Sequence, residues 1–110
     1  MPSEPPNESL RDLSALVGDE ATKEIVLLFL HDFPESIRRL ERCSREDQIR
    51  ITHGLRNSAL HMGADGLSRQ MGVIEDRLTQ PGGQLAEGEL AGAMADFEAF
   101  AAALRAYAGP

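Results

Sequence analysis

A chain of 110 residues has the length of one domain and can bury roughly two-thirds of the surface it exposes when unfolded. Eleven Lys and Arg against eighteen Asp and Glu leave a net charge of −7, which argues against nucleic acid and against an anionic membrane surface as partners. The longest clean apolar run, Ile25 to Leu30, is far too short to span a bilayer, no basic or apolar export signal opens the chain, and a lone Cys43 suits a reducing compartment. A small, acidic, cytoplasmic domain is the expectation.

Residues 1–8 are proline-rich and polar and read as a disordered lead-in to a helical domain over 9–110. No window alternates with period two, so no strands are expected. Leu10, Leu13 and Val17 predict a short opening helix. Asp19 can cap a second helix, whose stripe is Ile25, Leu28, Phe29, Phe33, Ile37 and Leu40, with Pro34 inside it expected to kink the helix because it removes one backbone donor. Ser44-Arg45-Glu46-Asp47 fits a capping box opening a third helix, with the stripe Ile51, Leu55, Ser58, Ala59 and Met62 and a stop at Gly63. A fourth helix carries Leu67, Met71, Ile74 and Leu78 and ends before Pro81. A fifth carries Leu90, Met94, Phe97, Ala101 and Leu104. Four helices of about seventeen to twenty-five residues would be rods of roughly 25–37 Å. Short connections make neighbours antiparallel, which predicts an all-α, up-down-up-down four-helix bundle with one short extra N-terminal helix.

His53 breaks the pattern of the third helix. At 100° per residue it points about 175° away from the stripe's mean direction, with Arg56, Asn57 and Leu60 around it at three- and four-residue spacings. An exposed neutral imidazole has a free ring nitrogen near neutral pH, a competent nucleophile towards phosphorus. Arg56, one turn on, can neutralise charge on a phosphoryl group. Leu60 on the same outward line is an exposed apolar residue suited to docking. From spacing alone the signal is weak, because exposed polar residues need no special explanation.

The segment resembles the signature of histidine-containing phosphotransfer (HPt) domains, in which the phospho-accepting His is followed by x-Leu-Lys-Gly-Ser-Ser/Ala, a helix-closing Gly, a Leu and a late Leu-Glu pair. His53, Leu55, Ser58, Ala59, Gly63, Ala64, Leu67, Ile74 and Glu75 stand at matching positions, and Phe29-Leu-His-Asp-Phe-Pro-Glu-Ser-Ile-Arg-Arg-Leu40 is similar to the family's second helix. The resemblance runs from about Leu10 onward. It implies a monomeric phosphorelay carrier that takes a phosphoryl group from an aspartate of one receiver domain and passes it to another. A hybrid histidine kinase is a further partner it suggests. Gly54, Asn57 and Leu60 would line the docking surface. No cofactor is implied on this chain, and the Mg²⁺ of the aspartate chemistry would sit on the receiver. Two positions depart from the pattern: Arg56 replaces Lys, trading a compact ammonium for a planar fork, and Asn57 replaces Gly. A side chain at Asn57 narrows partner choice, slows transfer, or marks a module that docks receivers without exchanging phosphate.

His53-Gly-Leu-Arg-Asn57 also resembles the H-box of histidine kinases, with Gly54 and Ser58 in place of its acidic residue and proline. A kinase must hold ATP, and no phosphate-cradling glycine loop is present. Four full-length helices can also close a core within one chain, whereas kinase phosphotransfer hairpins are dimeric.

Glu75 has two readings. In a hairpin turning at Gly63–Ala64, residues whose numbers average about 64 share a height, as 53 and 75 do, so its carboxylate can take the proton of the second ring nitrogen and fix the tautomer. Alternatively it is a solvated surface carboxylate. His61 lies about 80° round the helix from His53, poorly placed to share a ligand, and a metal-binding i, i+4 pair would need His where Asn57 stands. No metal site is expected, and Cys43 has no paired base to make it a nucleophile. Gly66, Gly72, Gly88 and Gly92 weaken their helices and can mark close helix approach, without showing which of them does.

Overall fold

The computed structural model describes residues 4–109, which form five helices and, among the described residues, no strand: α1 (Glu8–Val17), α2 (Asp19–Leu40), α3 (Arg45–His61), α4 (Asp65–Thr79) and α5 (Glu89–Ala108). The most extensive pairing is α3 with α4. α2 packs on both α3 and α5, α4 meets α5, and α1 lies on α2. At 15 residues α4 is shorter than the rods expected from the sequence. No helix is long and apolar enough to cross a membrane.

The opening is more ordered than composition suggests. Residues 1–3 of the expected lead-in lie outside the described residues, but Asn7 and Glu8 begin α1. The Asn7 side chain accepts from the amide of Leu10 at 2.9 Å and donates to the carbonyl of Met62 at 2.9 Å, while Leu10 is fully buried. That single asparagine therefore caps one helix and ties it to the end of another.

Gly18, with φ of +93°, separates α1 from α2 and occupies the cap position expected of Asp19. Asp19 is the first residue of α2 and caps nothing with its side chain. Its carboxylate instead accepts from Ser14 and from the phenol of Tyr107, and pairs with Lys23 at 3.4 Å. α2 runs through Pro34 without interruption.

The core face of α2 is Thr22, Val26, Phe29, Phe33, Ile37 and Leu40. Ile25 and Leu28, placed in that stripe by the sequence reading, are 38% and 61% exposed. Each sits one residue, or about 100°, before a core position, and an unbroken run of apolar residues leaves the helical phase ambiguous. The buried line closes on α5, where Phe33 stacks on Phe97 with centroids 4.7 Å apart and Phe29 tilts against both.

α3 opens as expected, with Ser44 accepting from the amide of Asp47 at 3.2 Å. It buries Thr52, Leu55 and Ala59, with Met62 just beyond its end. Ile51 is only half-buried and Ser58 is exposed, so the apolar stripe is narrower than predicted. Two devices set the register of α3 on α4. At one end Gly63 turns with φ of +82°, where any β-carbon would run into the Asn7 side chain. At the other, Arg45 donates to the carbonyl of Leu78 at 2.7 Å and to that of Gln80. Further along, Arg77 and Glu89 form a two-bond pair at 2.6 and 2.7 Å across the loop into α5.

Candidate phosphoryl-acceptor site

The α3–α4 hairpin brings His53 and Glu75 together. His53 Nδ1 and Glu75 Oε2 are 2.8 Å apart; the histidine side chain is 59% exposed and the glutamate 14%. Glu75 is thus not a solvated surface carboxylate. Its other oxygen takes a longer contact of 3.4 Å from Arg56, so one largely buried carboxylate serves two cationic or donor groups on the facing helix.

The pairing fixes chemistry as well as position. An ionised carboxylate only accepts, so a neutral His53 must carry its proton on Nδ1 to make this bond. The lone pair then resides on Nε2. There the Asn57 side-chain nitrogen stands 3.3 Å away, within one turn of the same helix.

Arg56 is held from beneath. A β-carbon on Gly72 would stand 3.2 Å from Arg56 Nε and 3.3 Å from Cζ, so the guanidinium lies over bare α4 backbone. Next to it the buried Ser68 donates its hydroxyl to the carbonyl of Arg56 at 2.9 Å. Neither Gly72 nor Ser68 stood out as a site residue in the sequence. For Gly72 a signal existed: 56 and 72 also average 64, the same hairpin height that pairs 53 with 75.

The three positions expected to line a docking surface separate. Gly54 is exposed, a β-carbon added there would meet nothing within 4 Å, and it borders a cavity of about 430 Å³ between α2 and α3 whose rim includes Ile25, Leu28, Asp32, Ser58 and His61. The exposed apolar pair that left the core stripe of α2 thus faces the same groove as Gly54. Asn57 touches the histidine. Leu60, 52% exposed, shares a shallow pocket with Leu13 and Leu16 of α1, so it belongs to a second apolar patch on the α1 flank of the His53 face.

Among the described residues no group of three or more His, Cys, Asp or Glu side chains could hold a metal ion. Comparison with family models, with curated proteins and with solved structures finds no match for this chain.

Proposed function

We propose that the chain is a histidine phosphotransfer protein of a phosphorelay, with His53 as the residue that carries the phosphoryl group. In this reading α2–α5 make an antiparallel four-helix bundle, α1 is the extra helix, and the protein works as a cytoplasmic monomer. The observation that carries the proposal is the His53–Glu75 contact: a surface imidazole whose Nδ1 is held by a largely buried carboxylate and whose Nε2 is left as the nucleophile. The Nε2 lone pair attacks phosphorus of a receiver's aspartyl phosphate, and the phosphorus–oxygen bond breaks with its electron pair leaving on the aspartate. The Nδ1 proton stays against Glu75, offsetting the positive charge that develops on the ring. Arg56 is one side-chain swing from Glu75 to the phosphoryl oxygens, whose spread charge a guanidinium suits. Receiver domains, including that of a hybrid histidine kinase, are the partners, and they bring the Mg²⁺. The chain is a carrier with no ATP-dependent kinase activity of its own.

The α2–α3 groove beside Gly54, with Ile25 and Leu28 exposed on its rim, supports docking next to the histidine. Apolar contact suits a chain of net charge −7, because long-range attraction to an acidic receiver is absent. The Asn57 contact on Nε2 favours a second reading, a module that docks receivers without exchanging phosphate. One experiment separates them: transfer from a panel of phosphorylated receivers, in Mg²⁺, to the protein and to His53→Gln. Acid-labile, base-stable label that is absent from the variant supports the carrier. Binding without label supports the docking module.

A further inference from the structure

We propose that Asn57 is a latch on the nucleophile: in the resting protein its amide N–H donates to the lone pair of His53 Nε2, and this bond must open before the nitrogen can react. The inference rests on the reading of His53 as the phosphoryl acceptor and adds a positioning residue to it. The argument begins with the tautomer. Glu75 holds the proton on Nδ1, so Nε2 is an acceptor, and the group facing it at 3.3 Å is the nitrogen of the Asn57 amide. Turned over, that amide would set its oxygen against a lone pair, so the donating orientation is the one the neutral ring selects.

The contact lies where the reaction must occur. A phosphorus atom bonded to Nε2 brings three oxygens into the space along the lone-pair axis, and an amide nitrogen at 3.3 Å obstructs that approach. Asn57 is exposed and sits on the same helix face, so its side chain can swing away without any shift of backbone. The bond is long, between neutral groups and open to water, and such a bond slows a reaction without abolishing it. Among the described residues the hydrogen bond to Nε2 comes from Asn57, so the latch is one residue.

Diethyl pyrocarbonate tests this without any receiver. The free imidazole lone pair attacks one of its carbonyl carbons and monoethyl carbonate leaves, so the rate reports how available the nitrogen is. Peptide mass spectrometry resolves the three histidines, and the exposed His31 and His61 serve as internal references. Asn57→Ala removes the donor; Asn57→Leu removes it while keeping the bulk. Both variants are expected to raise the His53 rate about two- to tenfold, the range of one modest hydrogen bond, with the reference rates unchanged. An unchanged His53 rate in Asn57→Ala overturns the latch. A rate that stays slow in Asn57→Leu overturns it as well, since bulk alone would then be the obstacle.

A second arm uses phosphoramidate, whose phosphorus–nitrogen bond breaks to release ammonia as the Nε2–phosphorus bond forms. Phosphohistidine forming faster in both variants, in the ratio seen for carbethoxylation, supports the latch as a gate on phosphorylation. Measurable phosphorylation at an unchanged rate overturns that gate. Faster carbethoxylation with no phosphohistidine in any of the three proteins supports the latch and overturns His53 as the acceptor.

Discussion

Ser68 donates its hydroxyl to the carbonyl oxygen of Arg56 at 2.9 Å, joining α4 to the backbone of α3 three residues from His53. The carbonyl also has the intrahelical partner of any residue in mid-helix, so the bond is an added one. Ser68→Ala leaves no orphaned acceptor and should cost about 1 kcal/mol, the net worth of one such bond. A urea or thermal melt reads this directly. A melt identical to that of the parent would mean that packing alone aligns the two helices beneath the site.

Glu75 holds the tautomer of His53, so its removal should be visible before any function is measured. Glu75→Ala is expected to move His53 towards the Nε2–H tautomer that a free imidazole prefers in water, as read from the ring ¹⁵N shifts. If His53 is the acceptor, phosphoryl transfer should fall about ten- to a hundredfold, the loss typical of a misoriented reacting group. Retention of the Nδ1–H tautomer in the variant would remove Glu75 from the mechanism.

Gly72 gives Arg56 its seat, with only 3.2–3.4 Å between the guanidinium end of that side chain and the place a β-carbon would take. Replacing glycine by alanine inside a helix gains up to about 1 kcal/mol, and a side chain 47% exposed can yield a few tenths of an ångström. Gly72→Ala should therefore melt at or slightly above the parent. Gly72→Leu demands far more room and should drive Arg56 off Glu75, seen as loss of the Arg56 Nη–H signal of that contact. Persistence of that signal in the leucine variant would show that the guanidinium has another seat.

The five helices were legible because their breaks carry their own chemistry: Gly18 and Gly63 at positive φ, Ser44 as a cap, and Pro81-Gly82-Gly83 beyond α4. The height rule for the hairpin also brought His53 opposite Glu75. What stayed hidden follows from the same physics. Ile25 to Leu30 is apolar on every side, so periodicity could not separate the buried Val26 and Phe29 from the exposed Ile25 and Leu28. Asn7 looked like part of a proline-rich lead-in because its second bond goes to Met62, 55 residues away. The role of Asn57 depends on a side-chain angle, which no spacing rule reports.

Tyr107 and Asp19 make stability depend on pH at both extremes. Burial first, and then the hydrogen bond to Asp19, push the Tyr107 phenol up to about 12. A raised value means a contribution present in full below the unfolded value near 10 and lost as pH rises through about 12. The bond from Tyr107, aided by Lys23 and opposed by burial, holds Asp19 below its ordinary 3.8, so its contribution is present above that value and lost as pH falls through the lowered one. Tyr107→Phe keeps the ring under Lys23 and deletes only the hydroxyl. The stability gap between parent and variant, from urea unfolding, should be constant between about pH 5 and 9 and shrink towards both ends. Tyr107 is the sole tyrosine, so phenolate absorbance reports its titration alone. A gap independent of pH would mean that the hydroxyl is not linked to Asp19.

Leu28 and Phe33 share a helix and an apolar character, yet the fold assigns them opposite duties. Phe33 is 1% exposed and stacked on Phe97, so Phe33→Ala should cost about 3–5 kcal/mol, as for other buried aromatics. Leu28 is 61% exposed on the rim of the groove beside Gly54, so Leu28→Asp should change stability by no more than about 0.5 kcal/mol. If receivers dock over that groove, Leu28→Asp should weaken their binding about tenfold or more, as loss of a central apolar contact does. Leu60→Asp probes the other patch, beside Leu13 and Leu16 of α1, with the same small effect on melting. Titration of one receiver against both variants then locates the interface. Loss of binding in Leu28→Asp alone puts it on the α2–α3 groove, loss in Leu60→Asp alone on the α1 side, and loss in both across the face that carries His53. Unchanged affinity in both would remove each patch from receiver recognition.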